Sequence, residues 1–147
     1  MKKALSRIGC MLALACIALT QPVRAQEPLL VSIPFAFTAG KMTLPAGEYR
    51  VEKLTKDGVT LLIQRTDHRA SAFVLSNTKQ ANAPQTRSKL VFHRYGNRYF
   101  LSQVWTAGYS RGRELQPSAK EKEQALLARN GATDQVTVVA RVVSPKY

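Results

Sequence analysis

Lys89-Leu-Val-Phe-His-Arg-Tyr95 and Arg98-Tyr-Phe-Leu-Ser-Gln-Val-Trp105 are strand-like runs separated by Gly96-Asn97. A two-residue loop with glycine first suits a type II′ turn, and such a loop fixes the register of its hairpin. Tyr95 then stands opposite Arg98, Arg94 opposite Tyr99, His93 opposite Phe100 and Phe92 opposite Leu101. Side chains alternate between the two faces of a strand. One face therefore carries Leu90, Phe92 and Leu101, the other Val91, Tyr95 and Phe100. Both faces are partly apolar, which places the hairpin centrally in a β domain with something covering each side.

The flanking sequence reads as more strands. Leu29–Ile33 is apolar and β-branched, and Pro34 after it argues for an edge or a bulge. Phe35 and Phe37 point to one side. Gly40 and Leu44-Pro-Ala-Gly47 mark loops, and Glu48–Leu54 is the next strand. Asp57-Gly58 before Val59–Arg65 predicts a type I′ hairpin. Asp67-His68 predicts a second tight turn, into Ala70–Leu75. The polar stretch 77–88, with Pro84, reads as the longest loop and as a mobile one. Arg111–Pro117 reads as a linker. Ser118-Ala-Lys-Glu121 has the form of a capping box, with reciprocal bonds between serine and glutamate. It predicts a short helix over 119–129, ended by Asn130-Gly131. So short a helix is marginal alone, so Ala125, Leu126 and Leu127 are expected to pack on the sheet. Gln135–Val143 closes the chain as a strand expected to pair with an early one, since a bare valine-rich edge invites aggregation. The fold class is mainly β: an antiparallel sandwich or barrel of about seven strands, with one helix before the last.

Address comes from the other end. Lys2, Lys3 and Arg7 precede an apolar run from Ile8 to Leu19, and Val23-Arg24-Ala25 puts small residues at −3 and −1 of a cleavage site after Ala25. That is the pattern of a secretory signal peptide. The apolar run falls short of the about 20 residues that span a bilayer. The expected organisation is a signal over 1–25 and a single β domain over 26–147, exported to the periplasm or secreted. Cys10 and Cys16 both lie in the leader, so the remainder has no thiol for disulfides or thiolate–zinc sites. Ala13-Leu14-Ala15 fits a lipid-attachment box at Cys16 poorly, and Ile17–Leu19 continue the apolar run. The leader holds four of the 22 basic residues and none of the nine acidic ones, leaving 18 against nine, a net +9. Such an excess attracts anions. Outside the cytoplasm these are lipid headgroups, lipopolysaccharide phosphates and acidic glycans rather than nucleic acid.

Catalytic signatures are scarce. The domain holds His68, in a turn, and His93, mid-strand, with no HExxH, GxSxG or Walker-type run. A zinc site needs three or four ligands, and no cofactor is implied. Glu48 and Glu52 share a strand face with Arg50 between them, which describes a charge-balanced solvent face better than a glycosidase pair. The clearest lead is basic and aromatic: Arg94, Tyr95, Arg98 and Tyr99 bracket the hairpin tip, and Trp105, Arg111 and Arg113 follow. Guanidinium groups fork onto phosphate or carboxylate, and aromatic rings give sugars or lipids a flat apolar face.

The runs IPFAFTAGKMTLPAGEYRVEKL (33–54), KLVFHRYGNRYFLSQVW (89–105) and GRELQPSAKEKE (112–123) resemble an uncharacterised family of small exported bacterial proteins with no assigned activity. The likeness spans residues 30–142 and implies one exported domain, with no functional residue to carry over. The leading expectation is an exported, non-catalytic β domain that binds an anionic envelope component. A carrier with an apolar cavity near Phe35, Phe37, Phe92 or Trp105 is the alternative, and a hydrolase the third.

Overall fold

Residues 27–128 and 134–143 are described by the computed structural model; the leader, Ala25 and the Asn130-Gly131 helix stop lie outside them. The strands are β1 (Leu29–Ile33), β2 (Phe37–Ala39), β3 (Met42–Leu44), β4 (Gly47–Lys53), β5 (Thr60–Arg65) and β6 (Ser71–Gln80). They continue with β7 (Lys89–Tyr95), β8 (Arg98–Trp105), β9 (Arg111–Leu115), β10 (Asp134–Val139) and β11 (Arg141–Val142), with helix α1 (Ala119–Leu127) before β10. The chain is mainly β, as expected, but the count is eleven strands rather than about seven. Pro34, Gly40 and Pro45 cut the first stretch into short pieces, and Ala140 divides the last strand.

The sheet runs β10-β7-β8-β9-β6-β5-β4-β1-β11 and is not closed into a barrel. Its two ends are consecutive in the chain. β10 pairs with β7, while β11 pairs with the early strand β1. Between them, the Ala140 N–H donates to the Ser88 carbonyl at 2.8 Å. The β2–β3 hairpin stands off this path. It runs beside β8, parallel, at Thr38–Phe100.

The central hairpin has the expected register from Tyr95–Arg98 to Phe92–Leu101. φ is +60° at Gly96 and not positive at Asn97, as a II′ turn requires. Leu90, Phe92 and Leu101 lie in the core; Val91 and Phe100, on the opposite face, are buried too. Phe92 is the centre of the core. Phe35 and Phe37 meet it edge-to-face at 5.1 and 5.4 Å, and Phe37 meets Tyr49 at 5.1 Å. Burying each such ring contributes roughly 1.5–3 kcal/mol. The Tyr49 hydroxyl donates to the Pro45 carbonyl at 2.6 Å, which satisfies its one polar atom.

Four expectations need correction. The Asp57-Gly58 loop is not type I′: only Gly58 has positive φ. The Leu54 N–H bonds Thr60 across a longer loop, in which Thr55 Oγ1 accepts from the Thr60 N–H and Asp57 Oδ1 from the Val59 N–H. Local side-chain acceptors of this kind compete with the tight turn. The loop expected over 77–88 begins only at 81, because Asn77–Gln80 pair with Arg111–Glu114. What remains is tied down, with the Ala81 N–H on Ser110 O and the Gln85 N–H on Tyr109 O. Arg111–Leu115 is therefore a strand, not a linker. Finally, Leu126 and Leu127 are 80% and 67% exposed and Ala125 is exposed. α1 docks on the sheet through a different residue.

Candidate functional site

That residue is Glu121, only 5% exposed on the first turn of α1. Ser118 caps the helix as expected, its Oγ accepting from the Glu121 N–H at 3.2 Å. The glutamate does not reach back. Its Oε1 accepts instead from His93 Nδ1 at 2.8 Å and from the Tyr95 hydroxyl at 3.3 Å. A carboxylate acceptor there assigns the proton to Nδ1. Nε2 is left to accept from Ser102 Oγ at 3.2 Å. Ser102 reaches this face because β8 carries a bulge. Val91 pairs with Gln103 but Phe92 with Leu101, so Ser102 is the extra residue. Bulges re-aim side chains in this way.

Ser102, His93 and Glu121 thus stand in the order of a serine nucleophile, its base and the base's orienting acid. The same geometry also makes a clasp between helix and sheet. Ser102 is 4% exposed, which keeps its oxygen from substrate, so the clasp is the role the burial favours. His68, the other histidine, sits at φ +62° in the β5–β6 turn. Glu121→Ala should release α1. The expected loss is about 1–2 kcal/mol, from a broken charge-assisted bond and a stranded His93 donor. Amide exchange over 119–127 should quicken, whereas Glu121→Gln, which keeps an acceptor oxygen, should retain most of the protection. Equal exchange in the native and alanine forms would contradict the clasp.

The basic and aromatic residues of the hairpin do not form one patch. Arg94 and Tyr99 are register partners, as are Tyr95 and Arg98, and adjacent strand positions face opposite ways. The Arg94 guanidinium lies over Tyr99, 5.7 Å from the ring centroid, and its Nε donates to the Gly96 carbonyl. Tyr99 stacks on Phe35 at 3.8 Å, and Tyr95 turns towards Glu121. Arg98 and Arg111 are exposed, but Trp105 and Arg113 are buried, 5% and 6% exposed. Arg113 therefore cannot serve a surface site. Its Nε donates to Ser76 Oγ at 2.9 Å, Nη2 to the Ser76 carbonyl at 2.6 Å, and Nη1 to Thr78 Oγ1 and the Asp57 carbonyl.

Phe35, Phe37 and Phe92 touch ring to ring, and Trp105 is buried apart from them against Gly112. A groove of about 350 Å³ lies elsewhere, at the β10–β11 step between Leu30, Ser32, Glu48 and Arg141. Arg50 pairs with Glu52 at 3.5 Å, so the predicted Glu48–Glu52 face is a solvated ion-pair surface. Among the described residues, no group of three or more His, Cys, Asp or Glu is placed to hold a metal ion, and no helix is long and apolar enough to cross a membrane. Sequence reasoning missed Ser102, which only the bulge brings to His93, and Glu121, which it read as a cap alone. No known protein family, no curated protein and no solved structure matches this chain.

Proposed function

We propose that this chain is an exported β domain that works by binding an anionic component of the cell envelope, without catalysis. The observation that carries this reading is the state of its cations. Among the described residues, Lys56, Arg69, Arg87, Arg98, Arg111 and Arg141 are exposed and take part in none of the four ion pairs. With 18 basic residues against nine acidic ones after the leader, the surface has charge left over for an external anion. The buried Ser102 supports the non-catalytic half.

The test is a titration of the exported, purified protein against lipopolysaccharide, an acidic glycan and anionic liposomes at rising salt. Binding at low ionic strength should weaken as the Debye length contracts from about 30 Å at 0.01 M to about 8 Å at 0.15 M. A fluorophosphonate probe should leave Ser102 unlabelled. Absence of binding at low salt would refute the anion reading, and labelling of Ser102 the non-catalytic one.

A further inference from the structure

The outer face of β4, β5 and β6 is apolar where a solvent face should be polar. Register places Glu52, Leu62 and Phe73 in one row across the three strands, and Thr60 beside Leu75 in the next. Leu54 adjoins that second row through its N–H bond to the Thr60 carbonyl. The opposite face of β6 is already spent on the core, through Ala72 and Val74. Phe73 and Leu75 are nevertheless 68% and 70% exposed, with Leu54 at 48% and Val59 at 41%. Single exposed apolar residues need no explanation, but a contiguous group on neighbouring strands marks an interaction surface.

The rim of the patch carries the charge. Lys56 sits in the β4–β5 loop beside Leu54 and Val59. Lys41 sits in the β2–β3 turn, which lies against β6: a Cβ on Gly40 would meet Val74 Cγ1 at 3.1 Å. Both lysines are exposed. Two carboxylates lie near, and both are engaged: Glu52 with Arg50, and Asp57 with the Val59 N–H. Apolar side chains within a cationic rim complement a surface with an apolar interior and anionic headgroups.

We propose that this face rests on an anionic phospholipid leaflet, with Phe73 and Leu75 entering the headgroup–acyl boundary and Lys41 and Lys56 at the phosphates. The inference rests on the anion-binding reading above and specifies its partner. The exported protein is sedimented with vesicles of phosphatidylcholine alone, or containing phosphatidylglycerol, with heparin as a soluble polyanion without an apolar phase. The expected result is binding to the phosphatidylglycerol vesicles that Phe73→Ser with Leu75→Ser weakens by about tenfold or more, while heparin binding is unchanged. Phe73→Trp supplies a second readout. Trp105 is buried, so a new indole quenched by brominated lipid reports this face alone. Equal vesicle binding by the double variant, or an unquenched indole on vesicle-bound protein, overturns the lipid face while heparin binding leaves the anion reading standing. A dimer that the double variant dissolves, without vesicle binding, also overturns it by assigning the patch to a second copy. Failure to bind either vesicles or heparin removes both readings.

Discussion

Arg113→Met should destabilise the protein by about 3 kcal/mol, lowering its melting point by about 10 °C. Methionine keeps most of the aliphatic stem, so the loss isolates the guanidinium. That group donates to two side-chain oxygens and two carbonyls, on Ser76, Thr78 and Asp57. Three of these acceptors belong to β6 and one to the β4–β5 loop, so a single charge ties β9 to both. Removing it strands buried carbonyls, and each costs about 1–3 kcal/mol when left unmade. Arg113→Lys should fall between, since an ammonium cannot reproduce a fork. There is an electrostatic signature as well. Burial lowers the Lys53 pKa, and the Arg113 charge lowers it further. Taking away that charge removes the second cause, so the Lys53 pKa should rise in Arg113→Met, as read by NMR titration. An unchanged denaturation midpoint would show that Arg113 does not organise this end of the sheet.

The central hairpin was legible because its turn leaves one register open, and alternation then decides both faces. The tyrosine and arginine positions at its tip were legible in register for the same reason. Their grouping into one patch was not warranted, because Arg94 and Tyr95 are neighbours on a strand and face apart. Elsewhere the usual burial preferences are reversed, and there the sequence misleads. β9 reads as a linker because its buried positions are Gly112, Arg113 and Leu115, a glycine and a charge where alternation leads one to look for apolar residues. α1 presents two leucines to solvent and buries a glutamate. A rule that puts leucine inside and glutamate outside picks the wrong contacts there. The bulge at Ser102 is invisible for a further reason. It depends on how β8 accommodates β7 at one point, and no local residue preference announces it.

Gly112→Ala should cost about 2–3 kcal/mol through overpacking alone. A Cβ at this position would stand 2.5 Å from Trp105 Cε3, 2.7 Å from Cδ2 and 2.9 Å from Cζ3. These are atoms of a rigid ring, 5% exposed and held by an indole N–H that donates to Gln103 Oε1 at 2.9 Å. The ring cannot yield without breaking that bond, and β9 cannot yield without dragging Arg113 from its acceptors. Gly112 does not have the left-handed φ of the turn glycines, so the backbone contributes no strain. Gly96 provides the reverse control: nothing lies within 4 Å of its Cβ position, but its φ is +60°. Gly96→Ala should therefore cost about 1 kcal/mol from conformation alone. The two mechanisms separate in a double-mutant cycle with Trp105→Leu. Removing the ring should reduce the cost of Gly112→Ala by about 1–2 kcal/mol and leave that of Gly96→Ala unaltered. Trp105 is the protein's single tryptophan, so its emission should shift to the red in Gly112→Ala as the indole is pushed towards water. If Gly112→Ala costs the same with and without the indole, the close approach of β9 to Trp105 does not set the position of this strand.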